Sequence, residues 1–203
     1  MTGLKGIDVS YAQGDIDWHA VRAAGIAFAF IKATEGASIQ DAQFARNWPV
    51  AKSVGIHRGA YHFFHFSDDP VAQAHYFLAS AKPQKGDLLP AVDVETADGI
   101  SDASELVTRL SQFTSTVEKA LKGRRMVVYT NLDFWSSNIQ GSDAFAGHPL
   151  WVAEYNRDPS PALPQGWRGW TIWQHDNAGT VNGITGAVDL DVFNGATLKT
   201  MLQ

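Results

Sequence analysis

The chain has 203 residues, 45% hydrophobic and 18% charged, which suits one domain with a sizeable core and excludes a disordered chain. Sixteen Lys+Arg against 21 Asp+Glu leave a formal charge of −5 with no basic run, which argues against a protein that grips nucleic acid through its phosphates. Cysteine is absent, and with it a disulfide scaffold, a thiol nucleophile and a thiolate-ligated metal.

Eight short runs rich in Val, Ile, Phe, Tyr or Trp, bounded by Gly, Pro, Asn or Asp, read as strands. They cover residues 6–10, 27–33, 59–64, 88–95, 126–131, 150–155, 170–175 and 187–193. Several are apolar on both faces, as strands buried on both sides are. Between the first five lie helical patterns. Residues 17–24 and 41–54 are the weaker two, and Pro49 is expected to kink the second. Asp69–Pro70 places an N-cap before a proline at the first helical position, with Ala74, Phe77, Leu78 and Ala81 on one face. Asp102 with Glu105 reads as a capping box before the stripe Leu106, Leu110, Phe113, Val117 and Leu121, and Gly123 as the stop. Beyond residue 139 helical patterns vanish. Residues 156–169 and 176–186 are dominated by Gly, Pro and Asn, so loops or hairpins must join the last strands.

These elements imply a single α/β domain over residues 1–203, an irregular β/α (TIM-like) barrel of eight strands whose later helices are missing. A doubly wound open sheet is the rival, and it lacks a glycine-rich loop after its first strand. The longest apolar stretch, residues 26–31, is far too short to span a membrane. The N-terminus shows no apolar core of a signal peptide.

In such a barrel, reactive groups sit at the C-terminal ends of the strands. Asp8, Lys32, Glu35, Asp93, Glu95, Tyr129, Tyr155, Gln174, Asp189 and Asp191 all fall at or near strand ends. Asp93-Val94-Glu95 is the sharpest pattern: the strand period of two turns both carboxylates to one face, roughly 6.6 Å apart along the backbone. Like charges so close raise one pKa, giving one proton donor and one ionised neighbour, the division of labour of glycoside hydrolysis. An isolated Asp-x-Glu is more often structural, and Asp8 and Asp189 on other strand ends reverse that weighting. His62 and His65 point to opposite strand faces and cannot chelate together, and neither a His-Glu-x-x-His pattern nor a Gly-x-Ser-x-Gly elbow occurs. No metal and no cofactor are expected. Tyr61, Tyr129, Trp151, Tyr155 and Trp173 are placed near the sugar-binding end. Phe28, Phe30, Phe63 and Trp18 are assigned to packing, and Trp167 and Trp170 to the side without helices.

Asp8-Val-Ser-Tyr-Ala-Gln-Gly14 and Phe30-Ile-Lys-Ala-Thr-Glu-Gly36 resemble the signature of glycoside hydrolase family 25, the Chalaropsis-type lysozymes. Gly59-Ala-Tyr-His-Phe63, Asp93-Val-Glu95, Tyr129-Thr130, Trp151-Val-Ala-Glu-Tyr155, Trp173-Gln174 and Val188-Asp189 follow in the same order, over residues 6–193. Ile39 departs from the usual aromatic or Leu. The resemblance implies an N-acetylmuramidase acting on peptidoglycan, with Glu95 as general acid and Asp93 orienting the substrate acetamido group or serving as base or nucleophile. Asp8 and Asp189 would complete the catalytic set. Tyr61, Tyr129, Trp151, Tyr155, Gln174 and Glu35 would bind substrate, Glu35 as a residue paired with Lys32. A monomer that acts outside the cell is expected, with a phage endolysin or an injected effector as alternatives. A chitinase-like hydrolase and a non-catalytic peptidoglycan-binding relative are the rival functions.

Overall fold

A computed structural model describes residues 3–155 and 160–202. Eight strands close into a barrel: β1 (Leu4–Val9), β2 (Phe28–Glu35), β4 (His57–Phe63), β5 (Ala91–Asp93), β6 (Val127–Asn131), β7 (Leu150–Ala153), β8 (Ile172–Gly179) and β9 (Val188–Phe193). A two-residue strand, β3 (Ile39–Gln40), folds back antiparallel on the end of β2. Neighbours from β1 through β2, β4, β5, β6 and β7 to β8 are parallel. β9 is antiparallel to both β8 and β1 and closes the ring. The expected hairpin at the end of the chain is therefore present, since an antiparallel strand needs no crossover helix.

Helices α1 (Trp18–Ala23), α2 (Phe44–Ser53), α3 (Pro70–Ala81), α4 (Ala103–Ala120) and α5 (Leu132–Asn138) fill the first five parallel crossovers, and the described residues of the β7–β8 crossover hold no helix. Asp69 caps α3 by accepting the Ala72 N–H at 2.7 Å, with Pro70 in the first turn where its missing N–H costs nothing. α4 buries Leu106, Leu110, Phe113 and Val117 as the stripe implied. Its capping box does not form. Asp102 accepts the Ser104 N–H, while Glu105 turns outward to Arg109 at 2.8 Å, where an i,i+4 ion pair competes for it. α2 runs through Pro49 as one helix.

Three further expectations need correction. The strand placed at 88–95 shortens to Ala91–Asp93, because Pro90 has no N–H for the ladder and Leu88 and Leu89 instead donate to Arg58 and Met201 carbonyls. The strand placed at 170–175 starts at Ile172 and continues to Gly179, paired with β9 through two register shifts. α5 was not foreseen, although Asn131 caps it by accepting the Phe134 N–H at 2.7 Å. Residues 156–159, part of the loop expected at 156–169, and the terminal Met1 and Thr2 lie outside the described residues.

Strand alternation splits the core in two. Outward residues such as Ile7, Ile31, Val92, Val128 and Val152 pack under the helices. Inward residues fill the lumen: Phe28, Phe30, Tyr61, Ala91, Val127, Tyr129, Trp151, Ile172 and Phe193. Leu198 and Met201 join them and close the barrel at its N-terminal end. Two inward glycines make room for the large rings. A Cβ on Gly6 would come within 2.2 Å of Phe28, and one on Gly59 within 2.5 Å of Phe30. Gly59→Ala should therefore destabilise the fold by about 1–3 kcal/mol through overpacking. Gly169→Ala, which meets nothing within 4 Å, should leave the urea midpoint unchanged; equal midpoints for the two variants would contradict this packing.

Candidate active site

The parallel strands all present their C-terminal ends to one mouth, where a cavity of about 400 Å³ opens. It is lined by Asp8, Lys32, Tyr61, Phe63, Asp93, Glu95, Tyr129, Trp151, Tyr155, Gln174, Asn177 and Asp189. Register explains this assembly. Asp8 pairs with Asp189 across β1 and β9, Lys32 with Tyr61, Phe63 with Asp93, Asp93 with Tyr129, and Tyr129 with Trp151, so their inward side chains lie in adjacent rows. All four expected acids, Asp8, Asp93, Glu95 and Asp189, share the cavity. So do Tyr61, Tyr129, Trp151, Tyr155 and Gln174. Glu95 lies beyond the last ladder residue of β5 yet keeps the face of Asp93.

Burial of so many acids pushes their proton affinities up. For Asp8 the largest cause is burial, followed by Asp189, and its carboxyl stands well above the usual range. Asp93 is likewise raised by burial and then by Glu95. Burial also raises Glu95, against the opposing pull of the Lys32 ammonium. Asp189 is pushed up to about 6, again chiefly by burial. One Asp93 oxygen, Oδ1, is buried with no hydrogen-bond donor among the described residues.

Gln174 holds the rest of the cavity in place. Its Oε1 accepts the hydroxyls of Tyr129 (3.0 Å) and Tyr155 (2.7 Å), and its Nε2 donates to Asp8 Oδ2 at 2.7 Å. Burial raises both phenols, that of Tyr155 to about 12, so both remain O–H donors at neutral pH. The Trp151 indole packs on Phe30 at 4.7 Å and Tyr129 at 4.8 Å and forms the floor.

Glu35 is not among the lining residues. It accepts from Lys32 at 2.6 Å, and His65 bridges it to Asp98 at 3.2 Å on each side. Burial opposes ionisation of Glu35, but the Lys32 and His65 hydrogen bonds outweigh it and hold the carboxyl low. The same two carboxylates outweigh burial at His65 and raise the imidazole. Lys32 itself reaches the cavity, with its ammonium 4.8 Å from the Phe63 ring centre. His62 faces outward, stacked on Phe113, and burial lowers it to about 3, consistent with the opposite facing of His62 and His65. Among the described residues, no group of three or more His, Cys, Asp or Glu could hold a metal ion.

Some placements differ from those read off the sequence. Trp173 faces the outer layer, edge-to-face with Trp170 and donating to the Glu154 carbonyl, because β8 turns its neighbour Gln174 inward. Phe63 lines the cavity rather than packing the core, and Trp167 packs on Trp135 of α5 instead of covering the helix-free side. Lys32 and Phe63 were legible by parity, two residues on from Phe30 and Tyr61. Asn177 was not, since the register shifts of β8 break the period of two.

A barrel that gathers an Asp-x-Glu pair and two further acids at its C-terminal mouth, over an aromatic floor, defines a glycoside hydrolase. The chain belongs to the glycosyl hydrolases family 25, whose model matches residues 7–184. It is 42% identical over 197 residues to the uncharacterized protein YegX of Escherichia coli O157:H7, covering 95% of this chain and 70% of that one. It is 36% identical over 211 residues to Lysozyme M1 of Streptomyces globisporus, covering 98% and 71%. A bacterial lysozyme crystal structure from Streptomyces coelicolor superposes with a TM-score of 0.92 at 34% identity, covering 98% of this chain and 96% of that one.

The raised proton affinity of Asp189 fixes the sign of a stability test. A carboxyl raised to about 6 in the fold and near 3.8 when unfolded favours folding below the lower value. That contribution is lost as pH rises through about 6. Asp189→Asn should thus stabilise the protein at pH 7 by about 1 kcal/mol, after discounting for solvent screening. Below pH ~3.5, where Asp189 is protonated in both states, the gain should vanish. A thermal unfolding series across that window checks it.

Proposed function

We propose that the chain is an N-acetylmuramidase that hydrolyses the β-1,4 bond between N-acetylmuramic acid and N-acetylglucosamine in bacterial peptidoglycan. The reading rests above all on Asp93 Oδ1, a buried acceptor without a donor among the described residues, beside a second carboxyl in an open cavity. A buried acceptor costs free energy until something donates to it. The substrate acetamido N–H is such a donor. Its neighbour Glu95 stands beside the same space as the proton source for the glycosidic oxygen. The tyrosines and Trp151 offer apolar faces to sugar rings, with polar groups within reach of their hydroxyls.

The proton balance follows from the environment. Burial and then Glu95 favour a proton on Asp93. When the acetamido N–H donates to Oδ1, ionised Asp93 is favoured and the proton passes to Glu95. Glu95 then protonates the leaving oxygen while the acetamido carbonyl oxygen attacks the anomeric carbon, forming an oxazolinium that Asp93 stabilises. Glu95, now a base, takes a proton from the water that opens this ring, and the β configuration is retained. This substrate-assisted route is a known exception to the two-carboxylate scheme.

After burial and Glu95, the Asp8 charge raises the proton affinity of Asp93, and Lys32 lowers that of both Asp93 and Glu95, while Asp189 completes the acidic wall of the cavity. A single chain supplies every lining residue, so a monomer suffices. The substrate lies outside the cytoplasmic membrane, so the enzyme acts there as a secreted protein; an endolysin or an injected effector would meet the same bond. No helix among the described residues is long and apolar enough to cross a membrane.

Wild type should clear a suspension of bacterial walls and release little from chitin. Glu95→Gln should lose at least about 100-fold in clearing rate with an unchanged melting temperature, the scale expected for removing a general acid. Equal release from chitin would favour the chitinase-like reading, and binding without clearing the non-catalytic one. NMR of the first-formed anomer should show the β product; an initial α product would overturn the acetamido-assisted route.

A further inference from the structure

Asp191 has no place in the reaction as described, and it does not line the cavity. Its side chain is 1% exposed, beneath Asp8 and beside Trp151. It is reached from four strands: its own β9, where Asp189 lies two residues away on the same face; β1, where Gly6 is its register partner and Asp8 leans over it; β8, where Gln174 pairs with it; and β7, which contributes Trp151. Its Oδ1 accepts the Trp151 Nε1–H at 2.8 Å. Its Oδ2 is buried with no donor among the described residues. After burial, the group that acts on it most strongly is the Asp8 carboxyl on the neighbouring strand β1. Two carboxyl groups can share a hydrogen bond only if one carries a proton.

Which of the two carries it follows from their other partners. Asp8 Oδ2 already accepts a full hydrogen bond from Gln174 Nε2, which favours its ionised form. Asp8 also lines the cavity, where substrate or water adds donors, whereas Asp191 is 1% exposed and does not line it. The charges acting most strongly on Asp191 are those of Asp8 and Asp189, both acidic. Among the described residues that line the cavity the one cation is Lys32, which is engaged by Glu35 across the mouth.

We propose that Asp191 serves as a neutral carboxylic acid, a positioning residue whose O–H pins the Asp8 carboxylate while its Oδ1 holds the Trp151 indole. Burial and Asp8 push Asp191 well above the usual carboxylate range, in the direction this requires. One residue thereby couples an acid of the cavity wall to the aromatic floor. The orphaned oxygen of Asp191 is satisfied from within the protein, unlike that of Asp93, which is left to substrate. The catalytic consequence rests on the muramidase reading; the protonation state of Asp191 does not.

The test compares two substitutions that differ in one property. Asp191→Asn removes any charge yet keeps a donor for Asp8 and an acceptor for Trp151. Asp191→Ala removes both. On wall substrate, Asp191→Ala should lower kcat at least about tenfold, with less change in KM, because unpaired neighbours are left behind. Its acid limb of kcat/KM should move to higher pH, since Asp8 loses a donor to its ionised form. Asp191→Asn should restore kcat to within about threefold of wild type and return the acid limb, as a conserved donor would. Asp191→Asn as impaired as Asp191→Ala would overturn the proposal, because a negative charge would then be what matters. So would a kcat and acid limb in Asp191→Ala equal to wild type. Independently of turnover, the infrared difference between wild type and Asp191→Asn at pH 7 should contain a protonated carboxyl band, and its absence would also overturn the proposal. Should wild type fail to cleave walls, the muramidase reading falls and the infrared measurement still decides the state of Asp191, including where Asp191→Ala does not fold.

Discussion

The Trp151 indole divides the barrel lumen into two halves of opposite character. Below it, Phe28, Phe30, Ile172 and Phe193 fill the space left by Gly6 and Gly59, and Leu198 and Met201 close the end. Above it stand acids, phenols and the Lys32 ammonium. The indole is fully buried by these neighbours and anchored through its N–H to Asp191, so it cannot tilt without breaking either ring packing or a hydrogen bond. A barrel of eight strands is just wide enough to be filled by such side chains, which makes the mouth a cavity with a floor and not a pore.

The electrostatics of the site follow from that floor. Asp8, Asp93 and Asp191 are buried beside that apolar layer, and burial is the largest cause of every raised carboxyl in the cluster. The fold tolerates this concentration because the groups are shared out. Protons neutralise some carboxyls, Gln174 and Trp151 donate to others, and Lys32 lowers the pair nearest the reaction. Such an arrangement costs stability, and that cost is concentrated where function needs poised acids.

A second layer keeps the ammonium in position. Glu35 holds Lys32, His65 holds Glu35, and Asp98 holds His65, while Asp98 also accepts the Phe66 N–H at 2.6 Å. The chain of pairs runs from the end of β2 to the loop after β5, so the Lys32 ammonium is fixed by residues that need not touch substrate. Gln174 plays the corresponding role on the opposite wall, its amide oriented by two phenols that both donate to its Oε1.

Much of this was legible in the amino-acid sequence. The strand period of two placed Asp93 and Glu95 on one face, the cap at Asp69 and the stripe of α4 set two helices, and the loss of helical pattern after residue 139 foretold the closing hairpin. These are local properties, determined by side chains a few residues apart. What the tertiary structure alone decided are the relations between strands. Asp191 became a partner of Asp8 through the antiparallel register of β9 on β1, Trp173 turned outward because β8 turned Gln174 in, and Asn177 reached the cavity only through a bulge. Glu105 left its cap for Arg109 for a related reason, a choice between two nearby partners of similar strength. Periodicity in one strand determines which side chains share a face, but only closure of the barrel determines which faces meet, because register is set by the packing of all eight strands together.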